Sequence, residues 1–135
     1  MGETDSFGSY EVTAEEIVAF AEQYDPQPFH TDPDAAAETP FGGLVASGWH
    51  TAAMTMRLLV DGPLSELATR GALGVDELRW RSPVRPGQTL TVETEVVAKE
   101  GWDEDTGKID VAGTTYAEDE VALSMVGLVL VDRRE

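Results

Sequence analysis

The chain has no cysteine and only two histidines among its 135 residues. Without cysteine it cannot form a disulfide framework, a thiolate metal site or a cysteine nucleophile. No apolar run approaches the roughly 18 residues of a membrane-spanning helix. The acidic N-terminal stretch lacks the basic and then apolar order of a signal peptide. We therefore expect one domain over residues 1–135, located in the cytoplasm, with no membrane partner.

Basic residues are also scarce. The 9 Lys and Arg face 26 Asp and Glu, which gives a net charge of −17, and the lysines are Lys99 and Lys108 alone. A chain this acidic repels phosphate backbones, which argues against a nucleic-acid partner. The acidic residues are scattered and not collected in a tail, so they indicate a solvated surface. This pattern suggests a halophilic protein from a high-salt cytosol, and an acidic mesophilic protein is the alternative.

The remaining composition, with 41% hydrophobic residues, 13 Gly and 7 Pro, is that of a globular protein. Residues 7–12 are expected to form a strand, and Thr13 with Glu16 to form a capping box before an amphipathic helix. Pro26 ends that helix. A longer apolar helix follows over residues 47–60, then a helical turn or loop over 64–70. Four strands are expected at 72–81, 89–99, 108–117 and 121–132, arranged as an antiparallel meander.

Two motifs carry side chains or backbone groups suited to chemistry. Asp25-Pro26-Gln27-Pro28-Phe29-His30 places a carboxylate and an imidazole on a loop stiffened by two prolines, as general acid/base chemistry requires. The ordinary alternative is a turn aspartate and a loop histidine. The run Gly42-Gly43-Leu44-Val45-Ala46-Ser47-Gly48-Trp49-His50 marks a helix start whose free N–H groups can stabilise an oxyanion. His50 is expected to pack structurally, and His30 with His50 makes a poor metal site, so no metal is expected.

These motifs resemble those of a known family. The first resembles the Asp-x-Asn-Pro-x-His signature of MaoC-like dehydratases and (R)-specific enoyl-CoA hydratases. Residues 41–51 are similar to the start of the central helix of that family, and Trp80-x-x-Pro83-Val84-x-Pro86-Gly87 is similar to the strand and turn that follow it. Gln27 stands where the signature has Asn, and Met56 where some hydratases have a serine. These departures bear on substrate choice more than on reaction type.

The resemblance implies an α+β fold, a single hotdog domain whose curved antiparallel sheet wraps around a long central helix. It also implies an acyl-thioester substrate, expected to be acyl-CoA, and a homodimer or a multiple of one with shared active sites. The catalytic roles fall on Asp25, His30 and the backbone N–H of Gly48. The candidate substrate-binding residues are Gln27, Ser47, Trp49, Arg81 and Arg85. No cofactor is expected beyond the CoA of the substrate.

Three functions compete at this point. The first is hydration or dehydration of an enoyl thioester. The second is a hotdog thioesterase, which is disfavoured because residues 47–60 contain no carboxylate for hydrolysis. The third is a non-catalytic acyl-thioester-binding module, against which the paired Asp25 and His30 argue.

The charge predicts a dependence of stability on salt. At about 0.01 M salt the screening length is about 30 Å, and at 1 M it is about 3 Å. Self-repulsion among the acidic residues should therefore fall as KCl is added. We expect the melting temperature to rise substantially between dilute buffer and molar KCl in a thermal denaturation series. A flat salt profile would contradict the halophilic interpretation.

Overall fold

The computed structural model describes residues 4–62 and 69–132. Its helices are α1 (Ala14–Tyr24), α2 (Pro28–Thr31), α3 (Pro33–Ala37) and α4 (Gly48–Asp61). Its strands are β1 (Thr4–Glu11), β2 (Thr69–Trp80), β3 (Thr89–Gly101), β4 (Thr106–Ala117) and β5 (Glu120–Asp132). The predicted order of the strands and of the two longer helices, α1 and α4, is confirmed. Most of the helical turn or loop predicted over residues 64–70 lies outside the described residues, and residues 69 and 70 already belong to β2.

The strands form a five-stranded antiparallel sheet in the order β1-β3-β4-β5-β2. The predicted meander holds for β3, β4 and β5, but it is wrong for β2, which pairs with β5 and not with β3. Pro83 and Pro86 lack the N–H that a tight hairpin ladder would use. The linker instead runs inward, where Val84 is buried and its carbonyl accepts from the Ala46 N–H at 2.8 Å.

Helix α4 packs against one face of the sheet and forms the core with it. The buried apolar side chains in this contact come from α4, β3 and β5: Met54, Leu58, Leu59, Leu90, Val92, Leu123 and Met125. Along β3, one row of side chains is buried at Leu90, Val92 and Thr94, while Glu93 and Glu95 on the other row are exposed. Inside the core the hydroxyls of Thr55 on α4 and Thr115 on β4 form a hydrogen bond of 2.7 Å. This pairing satisfies both buried groups and fixes the helix against the sheet.

Local signals explain where the short helices begin and end. Thr13 caps α1 by accepting from the Glu16 N–H at 3.2 Å, as predicted, but the Glu16 carboxylate accepts from the Tyr10 hydroxyl and does not reach back to Thr13. The loop expected around His30 is in fact the helical turn α2, which Pro28 begins because its fixed φ suits the first helical position. Asp32 then caps α3 by accepting from the N–H groups of Asp34 and Ala35.

None of the helices in the two described ranges combines the length and the apolar character needed to cross a bilayer.

Candidate active site

The side chain of Ser47 joins the end of α1 to the start of α4. Its hydroxyl donates to Asp25 Oδ2 at 2.7 Å and accepts from the Trp49 N–H at 3.2 Å. Ser47 is therefore the N-cap of α4, while Asp25 is the C-cap of α1 and its N–H bonds the Ala21 carbonyl. Ser47 is fully buried, so both of its hydrogen bonds are needed to satisfy it. One hydroxyl thus sets the position of Asp25 relative to the first turn of α4.

The Asp25 carboxylate also receives a second hydrogen bond. Gln27 Nε2 donates to Asp25 Oδ1 at 2.7 Å. The hydrogen bonds from Gln27 and then Ser47 lower the pKa of the Asp25 carboxyl below its usual value, because both donors favour the charged form. Asp25 is therefore ionised at neutral pH. It contributes stability above the unfolded pKa of about 3.9, and this contribution is lost as the pH falls through the lower folded pKa.

His30 faces the same carboxylate. Its Nε2 lies 3.5 Å from Asp25 Oδ2, and its Nδ1 lies 2.7 Å from the carbonyl oxygen of Val45. A carbonyl oxygen only accepts, so Nδ1 must carry a proton. In the neutral ring, Nε2 then presents a lone pair towards an anionic oxygen. Two acceptors therefore face each other at this point, an arrangement that a donor with two O–H groups, such as water, could bridge.

Gly48 is the first residue of α4, and its N–H has no hydrogen-bond partner within residues 4–62 and 69–132. It therefore remains available to a ligand at the positive end of the helix dipole. Glycine is required here for a reason that sequence analysis missed. A Cβ at this position would lie 2.4 Å from the indole ring of Trp80, so only glycine leaves room for that ring.

The other predicted substrate-binding residues are Trp49, Arg81 and Arg85. Trp49 is exposed and packs edge-to-face on Trp80, with ring centroids 5.1 Å apart. Arg85 donates to the Phe41 carbonyl at 2.6 Å, while Arg81 Nε donates to the Ser124 hydroxyl at 3.0 Å. Neither guanidinium contacts Asp25, His30 or Gly48 in the described part of the chain. The structure thus brings Asp25, Gln27, His30, Ser47 and Gly48 together and leaves both arginines outside that group.

His50 is buried, as expected for a packing residue. Its ring stacks on Phe20 at 4.7 Å, and its Nδ1 has no hydrogen-bond partner among the described residues. Burial lowers the pKa of His50, so the ring is neutral at neutral pH. A cavity of about 300 Å³ between α1 and α4 lies beside it, bordered also by Tyr10, Glu16 and Arg57. Across the described ranges, no three His, Asp or Glu side chains converge as metal ligands.

Comparison with known proteins assigns the class to which this fold and site belong. Residues 2–119 match the family described as MaoC like domain, and the chain belongs to that family. It is similar to the solved MaoC-like dehydratase of Rhodospirillum rubrum, with 42% identity, a TM-score of 0.91 and coverage of 100% of this chain and 94% of that one. The (R)-hydratase of A. caviae shares 27% identity with a TM-score of 0.72, over 95% of this chain and 93% of that one.

A relative of known activity supports the same family assignment. The 3-hydroxybutyryl-CoA dehydratase of Methylorubrum extorquens is 32% identical over 127 residues, covering 93% of this chain and 76% of that protein. The predicted hotdog fold is confirmed by these neighbours, and the family includes hydratases and dehydratases.

The contacts of Ser47 predict a specific effect of Ser47→Ala. The change removes the N-cap and one donor to Asp25, so the free energy of unfolding should fall by about 1–2 kcal/mol at neutral pH. The part that comes from Asp25 should shrink as the pH falls below the unfolded pKa of about 3.9 and through the lower folded pKa, because the carboxyl then becomes protonated in the folded state as well. Urea denaturation between pH 3 and 7 in molar KCl measures this. Ser124→Ala, which removes a serine from an exposed contact with Arg81, is the control. An effect of Ser47→Ala that does not change with pH would contradict the proposed link to Asp25.

Proposed function

We propose that this chain adds water to the double bond of an enoyl thioester, or removes water from the corresponding 3-hydroxyacyl thioester, with acyl-CoA as substrate. The contact of Asp25 with His30 beside the start of α4 carries this proposal. The names of two relatives, a 3-hydroxybutyryl-CoA dehydratase and an (R)-hydratase, point to the same reaction. Asp25 and His30 act as the acid/base pair, and the N–H of Gly48 binds the thioester oxygen.

In the hydration direction, a water molecule beside the pair donates its O–H groups to Asp25 Oδ2 and His30 Nε2. As the water oxygen bonds to Cβ, the pair gains one proton from it. The pair then gives one proton to Cα, so it ends each turnover in its starting state. The stiff segment that contains Pro26 and Pro28 holds the two groups at their separation, which reduces the entropy lost in reaching the transition state.

The thioester oxygen gains negative charge as the enolate develops. The free N–H of Gly48 at the helix start donates to it, and such a donor can lower a barrier by about 3 kcal/mol. The backbone of α4 supplies the donor without any rearrangement, because the helix is already fixed by Ser47 at its start and by the core contacts along its length.

A thioesterase function is less consistent with the sequence of α4, which has no carboxylate near its start. The helix has one carboxylate, that of Asp61, its last residue. Asp61 Oδ2 lies 2.6 Å from Arg57 Nε, at the opposite end of the helix from Gly48. Incubation with crotonyl-CoA separates the candidates. A hydratase consumes the enoyl absorbance without releasing thiol, a thioesterase releases thiol, and a binding module does neither.

Replacement of the carboxylate tests the catalytic pair. Asp25→Asn keeps the shape of the side chain but removes the charge and most of its basicity. Turnover of crotonyl-CoA should fall by about 100-fold or more, the usual scale for loss of a general acid/base group. The loss of enoyl absorbance in steady-state assays measures this effect.

Asp32→Asn is the matched control. It removes the same charge from the same segment, but Asp32 caps α3 and Asn caps helices about equally well. This variant should keep the activity of the unmodified chain. Near-normal hydration by Asp25→Asn would show that the assignment of Asp25 is wrong.

We also propose that the active species is a homodimer or a multiple of one. Strand β2 is an edge of the sheet, and the side chains of Leu73 and Val75 on it are exposed. An uncovered apolar edge invites another strand to pair with it. A second copy related by two-fold symmetry would cover the edge and supply further walls to the active site.

Light scattering in molar KCl should therefore give at least twice the 14.6 kDa mass of one chain. Val75→Lys should weaken assembly, because a charge on an edge strand opposes strand pairing. Val97→Lys on β3, an interior strand of the sheet, is the control for an equally exposed valine. A monomeric mass together with full hydratase activity would rule out a shared site.

A further inference from the structure

We infer that Trp80 determines substrate specificity by selecting enoyl thioesters that carry no substituent on Cα. This inference rests on the proposed function, because it places the thioester carbonyl at Gly48. Trp80 is the last residue of β2, and its side chain is 49% exposed in the protomer. It is therefore not a core residue, although it is one of the largest side chains of the protein.

The indole of Trp80 lies directly on the backbone of Gly48. Three of its ring atoms, Cε2, Cδ2 and Cζ2, lie 2.4, 2.5 and 2.9 Å from the place that a Cβ on Gly48 would take. No real Cβ tolerates such distances, so the ring occupies the whole space of a side chain at this position. The ring thus forms a wall beside the first N–H of α4.

Other contacts hold this wall in place. Trp80 pairs through its backbone with Leu123 of β5, which is fully buried. Its ring meets Trp49 in a T-shaped contact at an interplanar angle of 81°. Trp49 is the residue after Gly48, so the two indoles pack against each other at the helix start. Aromatic pairs of this geometry add about 0.5–1.5 kcal/mol beyond the area that they bury.

The position of the wall limits the substrate near its reacting end. A carbonyl oxygen bound to the Gly48 N–H lies about 2.9 Å from that nitrogen. The nitrogen is one bond from the Gly48 Cα on which the indole rests, and the substrate Cα is one bond from the carbonyl carbon. A methyl group on the substrate Cα would compete with the indole for the same space. A hydrogen atom there would not.

The experiment compares crotonyl-CoA with 2-methylcrotonyl-CoA. Trp80→Leu removes the ring and should raise the ratio of kcat/KM for the methylated substrate to that for crotonyl-CoA by about tenfold or more, the scale of one methyl group in a pocket. Trp80→Phe should give an intermediate ratio. Trp102→Leu is the control, since Trp102 is 52% exposed and lies beyond the end of β3 in the hairpin turn. It should leave the ratio unchanged.

The outcomes distinguish the inference from the proposed function. If the unmodified chain hydrates crotonyl-CoA and neither Trp80→Leu nor Trp80→Phe changes the ratio, the role of Trp80 is wrong and the function stands. If the unmodified chain hydrates neither thioester, the proposed function is wrong and the inference falls with it.

A second measurement tests the contact without activity. Gly48→Ala should lower the melting temperature strongly in the unmodified chain, because its Cβ meets the indole. It should lower the melting temperature less in the Trp80→Leu background, where the space is free. Equal losses in the two backgrounds would show that Trp80 does not occupy that space.

Discussion

The hydrogen bond between Ser47 and Asp25 is the constraint on which the site depends. Ser47 is completely buried and serves two partners at once, the carboxylate and the first turn of α4. A buried hydroxyl that loses a partner costs about 1–3 kcal/mol, so this arrangement is strongly favoured over alternatives. The proposed acid/base group and the proposed oxyanion donor are consequently fixed relative to each other by a single side chain.

The helix dipoles at this junction act in opposite directions on Asp25. The carboxylate sits at the C-terminal end of α1, where a negative charge is unfavourable, in a chain that already carries a net charge of −17. The start of α4 offsets this cost, because its positive end lies next to the same carboxylate through Ser47. The hydrogen bonds from Gln27 and Ser47 add to that effect, and the pKa of Asp25 falls despite the acidity of the chain. The geometry of the junction therefore outweighs the overall charge.

The sequence predicts features that depend on interactions between neighbouring residues better than features that depend on contacts between distant segments. Caps and proline effects act over a few residues, so the cap at Thr13 and the start of α4 were correctly predicted. The pairing of β2 with β5 depends on contacts between distant segments, and strand spacing alone indicates the nearer partner. The Val45 carbonyl that orients His30 is a backbone group without any distinguishing residue type. Trp80 belongs to one of the quoted motifs, but nothing local to it reveals that it lies on Gly48.

Hydrogen bonds join the two ends of the segment between α1 and α4, and this has a consequence for how the protein can evolve. Asp25 is tied to Ser47, and Phe29 and Val45 are joined by a backbone hydrogen bond of 3.3 Å, so both ends of the intervening segment are anchored to each other. Residues 37–40, which follow the buried Ala36 of α3, lie inside this closed loop, are exposed or half-buried, and contribute none of these ties. Doubling the length of a flexible loop costs only about 0.6 kcal/mol in closure entropy. Insertions at this point can therefore accumulate without moving Asp25 and His30 away from the start of α4. New structural elements can be added here while the geometry of the proposed site is preserved.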